Sequence, residues 1–215
     1  KYISITHMDI LRKTIITGVL IILGSVTIYA QNNFSDVHNA FRKSYELEAN
    51  GNFKLAADEI KIFYNENSYE MNLRLGWLNY MAGNFNESMA FYKKTLKLMP
   101  YADEPKFGVI FPLSALGRWD EVIEIYTKIL ENSPHNTKAM YYLGTIYYNR
   151  LEFDKSLSLF KQIVDLYPFD YDGVLMYAWT NLKLGNKKEA KELFQKVLLN
   201  KPNDASALEG MSFLK

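Results

Sequence analysis

YEMNLRLGWLNYMAGNFNESMAFYKKTLKLMPYA, residues 69–102, is the stretch on which the fold is read. Its apolar residues recur at helical spacing for about thirteen residues and break at Gly83-Asn84-Phe85. They resume for about fourteen more and stop at Pro100. The same marks return downstream: Pro100, Pro134, Pro168 and Pro202 are each 34 residues apart, as are Gly83, Gly117, Leu151 and Gly185. A fixed period of this length means one helix-pair unit copied and stacked, not a chain folded around a single centre. Units fall at 69–102, 103–136, 137–170 and 171–204, preceded by a less regular one that begins near Ser35 and turns at Gly51.

Each unit breaks at an equivalent turn: Gly51-Asn52-Phe53, Gly83-Asn84-Phe85, Gly117-Arg118-Trp119, Leu151-Glu152-Phe153 and Gly185-Asn186-Lys187. Glycine supplies the left-handed residue that ends the first helix, the aromatic wedges between the helices, and the proline stops the second helix. Three residues beyond the aromatic position stand Ala56, Ser88, Val122, Ser156 and Ala190. A small residue there lets two helices approach closely, so Val122 and the neighbouring Ile110 mark the third unit as less tightly closed. That unit also carries Pro112 inside its first helix, which removes one backbone hydrogen bond at a cost of about 3 kcal/mol. The reading predicts a kink or widened packing over residues 107–113. Leu151, where the other turns have glycine, is expected to cost about 1–2 kcal/mol if held left-handed.

These residues resemble the tetratricopeptide-repeat family. The likeness is carried by Leu75, Gly76, Gly83, Phe85, Ser88, Tyr92 and Pro100 in the second unit, and by Leu143, Gly144, Tyr147, Phe153, Ser156, Phe160 and Pro168 in the fourth. It covers residues 35–204. The resemblance implies an all-α fold, an α-solenoid of five antiparallel helix pairs wound into a right-handed superhelix with a concave inner surface. It also implies a scaffold or peptide-binding role without chemistry of its own. Residues 205–215 begin a sixth first helix (Leu208, Met211, Leu214) and are expected to cap the array.

Composition closes several classes. The 215 residues include no cysteine, which excludes a disulfide framework, thiol catalysis, cysteine-ligated zinc and a lipidated cysteine. Lys and Arg number 25 against 24 Asp and Glu, too balanced for polyelectrolyte binding, so no nucleic-acid partner is expected. His7, His38 and His135 are far apart, no metal pair stands at helical spacing, and neither metal nor cofactor is expected. Asp120, Glu121 and Glu124 open a second helix, where carboxylates suit the helix dipole better than they suggest acid–base catalysis. The chain is therefore read as no enzyme. Asn33-Phe34-Ser35 and Asn86-Glu87-Ser88 match the glycosylation sequon without deciding anything.

The first thirty residues read as an address. Thr14 to Ala30 (TIITGVLIILGSVTIYA) carry no charge, follow Arg12 and Lys13, and end on a small residue before Gln31. That is the pattern of a secretory signal, with Met8 as the expected initiator and residues 1–7 upstream of it. Seventeen residues at a rise of about 1.5 Å fall short of a roughly 30 Å hydrocarbon core, which favours cleavage. Ile28 departs from the small-residue cleavage pattern, so an uncleaved anchor stays open as the one membrane attachment. Either way the folded part is expected to be exported, to the periplasm or extracellular space, or anchored facing outside the cytoplasm. Residues 31–215 carry 22 basic and 23 acidic side chains.

In the family the concave surface takes the second, fifth, ninth, twelfth and thirteenth positions of each unit. Here nine of those twenty-five are aromatic: Phe41, Tyr45, Trp77, Tyr80, Phe107, Phe111, Tyr141, Tyr148 and Trp179. Such rings give large contact area at low entropy cost, as expected of a groove for a protein or peptide ligand. The fifth and ninth positions also pack against the neighbouring unit, so part of this set reads as inter-repeat core. Trp77, Tyr80, Tyr141, Tyr148 and Trp179 are the rings expected to face solvent. A carboxylate clamp of the kind some members use is not visible, because Phe41, Tyr45, Arg74 and Lys138 stand at its positions. Six lysines from Lys183 to Lys201 make the last unit basic while the third is acidic, so opposite ends of unlike charge could orient a partner. Two alternatives stay open: a glycan-binding module whose rings stack on sugars beside Glu70, Lys138, Asn149 and Asp172, and a membrane-anchored assembly factor of an envelope complex.

Overall fold

The computed structural model describes residues 34–214, so the apolar run at 14–30 lies outside the described residues. Every regular element among them is helical. Helix α1 occupies residues 34–49 and α2 Phe53–Lys61. Then follow α3 (Tyr69–Met81), α4 (Phe85–Leu98), α5 (Asp103–Ala115), α6 (Trp119–Asn132), α7 (Thr137–Asn149), α8 (Phe153–Leu166), α9 (Tyr171–Lys183), α10 (Lys187–Asn200) and α11 (Ala205–Ser212). From Tyr69 onward first helices of 13 residues alternate with second helices of 14, and both start every 34 residues. The chain forms two compact units divided between Leu98 and Met99.

Local chemistry sets these boundaries. At every turn the N–H three residues past the first helix donates to a carbonyl five residues back: Asn52 to Leu47, Asn84 to Asn79, Arg118 to Leu113, Glu152 to Tyr147 and Asn186 to Asn181, at 2.8–2.9 Å. This C-terminal closure needs a left-handed residue between the helices. Gly51, Gly83, Gly117 and Gly185 supply it, and Leu151 is drawn into the same conformation at φ 62°. First helices are capped at the other end by Ser68, Asn136, Asp170 and Asp204, whose side chains accept from Met71, Ala139, Gly173 and Ala207 N–H. Ala102 stands at the equivalent position of α5 and has no side chain to do so.

In the first unit, Ala56, Ala57, Ile60, Met71, Leu75 and Leu78 form the core, with Val37, Phe41 and Leu47 of α1 laid against them. Gly76 brings α3 onto the ring of Tyr92 in α4, and Ser88 Oγ donates to the Gly76 carbonyl at 2.7 Å. In the second unit the core runs through Met140, Phe160 and Ile163 to Val174, Ala178, Ala190, Phe194 and Ala207. Helix α11 seats Gly210 directly on the Phe194 ring. Helix α5 runs unbroken through the buried Pro112. It packs more sparsely on α6 than α7 does on α8 or α9 on α10. Thus the looseness expected of this pair comes as wider packing, because Ile110 holds the place that Gly76 and Gly144 hold elsewhere.

Candidate interaction surface

In the first unit the predicted residues meet at one ionic clasp. Glu48 of α1 accepts from Trp77 Nε1 at 2.5 Å and pairs with Nη1 of Arg74, both donors coming from α3. Arg74, almost wholly buried, also donates through Nε and Nη2 to Ser44 Oγ at 3.2 and 3.0 Å. Its guanidinium lies 3.9 Å from the centre of the Tyr45 ring, which remains 55% exposed. Trp77 and Tyr80 touch at 5.7 Å, Tyr80 continues to Phe85 at 6.0 Å, and Phe41 turns into the core. A separate open depression of about 410 Å³ beside α1 is lined by the charged Asp36, Arg42, Lys43 and Glu59 and by Ala40, Ile62 and Phe63.

In the second unit four of the predicted rings each have one edge fixed by a second-helix ring. Phe107 meets Tyr126 at 6.2 Å, Tyr141 meets Phe160 at 5.9 Å, Tyr148 meets Phe153 at 5.4 Å and Trp179 meets Phe194 at 5.2 Å, all edge to face. Trp179 Nε1 donates to Ser206 Oγ of α11 at 2.9 Å, and Lys138 Nζ sits 4.7 Å above Phe107. Phe111 is the most open of the set at 44%. Burial, then the carboxylate of Asp172, holds the Tyr141 hydroxyl above its ordinary pKa, and burial alone does the same for Tyr148.

The expected order of exposure is therefore corrected. Trp77, Tyr80, Tyr141, Tyr148 and Trp179 are all half-buried because they wedge between neighbouring helices, while Tyr45 and Phe111 carry the open faces. Two exposed rings escaped the sequence reading: Tyr142 of α7, stacked on Tyr126 at 6.1 Å, and Phe213 at the end of α11, 6.2 Å from Trp179. The period does not single out Tyr142, which occurs in one unit alone, whereas Phe213 stands 34 residues after Trp179, in register with Phe111 and Trp77, and that spacing was the signal that could have found it.

The remaining candidates have structural partners. Asp120 pairs with Arg150 at 2.8 Å, Glu121 with Arg118 at 2.5 Å and Glu124 with Lys128 at 2.6 Å. His38 stacks on Phe34, and His135 follows Pro134 in an exposed loop. Among the described residues no helix is long and apolar enough to cross a membrane.

Sequence profiles described as tetratricopeptide repeat match residues 113–171 and 152–211. Residues 113–211 carry tetratricopeptide repeats. A tetratricopeptide repeat protein from Parabacteroides merdae superposes with a TM-score of 0.71 at 19% identity, covering 84% of this chain and 72% of that one. MamA from Desulfovibrio magneticus gives 0.65 at 20% identity over 79% of this chain and 98% of its own. YrrB, described as a TPR protein with an unusual peptide-binding site, gives 0.66 at 16% identity over 86% and 97%. These likenesses establish the fold, an α-solenoid of helix pairs. In sequence, the protein CTR9 homolog of Arabidopsis thaliana is 24% identical over 131 residues, which span 60% of this chain but 12% of that protein.

Proposed function

We propose that this repeat protein is a non-enzymatic scaffold that binds a protein or peptide segment along the faces of its first helices. One observation carries the reading. In the second unit Phe107, Tyr141 and Trp179 are each locked by a buried ring behind, Tyr148 by the half-buried Phe153, and all four are left partly open in front, with Phe111 and Tyr142 more open beside them. Rings already held in place lose little entropy on binding and offer apolar area with a polar edge, as interface anchors do. The peptide-binding site ascribed to YrrB, a protein of the same fold, supports a peptide ligand. The apolar run at 14–30 supports an exported protein working in the cell envelope, either free or tethered.

The test replaces the open rings, Phe111→Ser and Tyr142→Ser together, and leaves the wedged rings in place. Capture of envelope proteins and retention on polysaccharide are measured in parallel, with circular dichroism as the folding control. Loss of protein capture alone is expected. Unchanged capture by a folded variant would remove the reading, and loss of polysaccharide retention alone would transfer the face to glycans.

A further inference from the structure

The turns that join first to second helices form one edge of the second unit, because α5, α7 and α9 run in the same direction and end together. Arg150 of one turn reaches Asp120 beside the next at 2.8 Å, which fixes two of them side by side. The Tyr148–Phe153 ring pair flanks one turn of this edge, and the edge is oddly apolar at its tips. Leu116 is 42% exposed, Trp119 45% and Leu151 72%.

Leu151 is the most informative of these. Four of the five turns use glycine at this left-handed position, and Leu151 alone carries a side chain there, at φ 62°. A Cβ at the equivalent Gly51, Gly83, Gly117 and Gly185 would meet nothing within 4 Å, so the position projects into open space and offers leucine little packing in return for its strain. An exposed apolar side chain held at a conformational cost needs a use outside the fold. Beside it the α9–α10 turn presents Lys183, Lys187, Lys188 and Lys191. Among the described residues none of these four forms an ion pair. Two of them sit in the first turn of α10, where the helix dipole disfavours a cation.

We propose that this turn edge docks on an anionic lipid surface, with Leu151, Leu116 and Trp119 entering the interface and the lysines of the α9–α10 turn facing the headgroups. Separate apolar tips on convex turns need no complementary pocket, which a bilayer does not supply. Trp119 lies between Arg118 and Asp120, whose charges are paired with Glu121 and Arg150, and tryptophan is a residue that settles at the water–lipid boundary. Unpaired lysines add attraction to acidic headgroups and make the docking sensitive to salt.

The full chain has no cysteine, so Asn149→Cys accepts a single nitroxide two residues from Leu151. The label reads this edge irrespective of what the apolar run at 14–30 does. On vesicles of phosphatidylcholine with one quarter phosphatidylglycerol, the nitroxide should gain oxygen contact and lose contact with a water-soluble nickel complex. High salt, or phosphatidylcholine alone, should reverse the change. Leu151→Gly keeps the left-handed turn and should melt no lower than its parent, yet lower the docked fraction roughly ten-fold, the loss expected on removing one buried leucine. Lys187→Glu and Lys188→Glu should each weaken docking roughly five-fold or more. A nitroxide that stays in water on the anionic vesicles overturns the proposal, as does docking by Leu151→Gly equal to its parent's. A marked fall in the melting point of Leu151→Gly would make the leucine a packing residue and overturn it as well. Crosslinking of residue 149 to a protein, without burial on vesicles, would give the edge to a protein partner instead.

Discussion

A methyl group placed on Gly144 would stand 2.9 Å from Cζ of Phe160, and the same construction on Gly76 meets Tyr92 at 2.9 Å. Both glycines lie inside helices, where alanine is intrinsically better by about 1 kcal/mol. Overpacking a closed seam costs about 1–3 kcal/mol, so the steric penalty wins. Gly144→Ala should lower the urea midpoint without changing the slope of the transition. A neutral or stabilised variant would show that the aromatic ring can slide aside.

The clasp between Glu48 and Arg74 should behave as one unit. Glu48→Ala strands a nearly buried guanidinium and should cost about 3 kcal/mol, the low end for a broken buried pair because Glu48 keeps some exposure. Adding Arg74→Met should recover much of that loss by removing the orphaned charge. A double-mutant cycle with no coupling between the two positions would contradict the clasp.

Ala102 is the one uncapped start among the first helices α3, α5, α7, α9 and α11. Ala102→Asp, the residue found at positions 170 and 204, should stabilise the chain by about 1 kcal/mol. Thermal unfolding reads this directly, and no rise in midpoint would show that the α5 amides are already satisfied.

The sparse packing of α5 on α6 should appear as faster hydrogen exchange over residues 107–116 than over the equivalent residues 141–150. Equal protection in the two segments would mean that Pro112 and Ile110 are absorbed without loss of local stability.

Beside Tyr141 and Tyr148, two further phenols should titrate late, and these two latest. Burial, then the neighbouring Tyr142, pushes Tyr126 up to about 12, and the hydrogen bond to Asp204 is the main cause that takes Tyr171 to about 12. The same hydrogen bond, aided by the Ala207 N–H, holds the Asp204 carboxyl below its usual value. For Tyr171 the unfolded phenol ionises near pH 10 while the folded one keeps its proton. Its stabilising contribution is therefore whole below that pH and is lost as pH rises from about 10 to 12. For Asp204 the contribution is whole above the unfolded carboxyl pKa and is lost as pH falls through the lower folded value. Ultraviolet titration of Tyr171→Phe should show one fewer late phenol and a weaker dependence of melting point on pH at both extremes.

Helix boundaries, turns and the 34-residue register were legible in the bare chain, because each depends on residues a few positions apart. Glycine, proline and capping residues act on their own backbone, and a helical stripe of apolar residues is a local pattern. Leu151 belongs with them: its left-handed turn followed from its place in the period. Other features were decided only by packing. Trp77 and Trp179 fill positions that mark a concave face, yet their ring N–H groups are taken by Glu48 and Ser206, 29 and 27 residues away. Glu48 and Arg74 occupy unremarkable places in their own helices and become a clasp only when α1 and α3 lie together. Which side of a ring faces water depends on the side chain that reaches it from another helix. Periodicity assigns a residue to a helix face, but the division of that face between core and solvent is made by its neighbours in space.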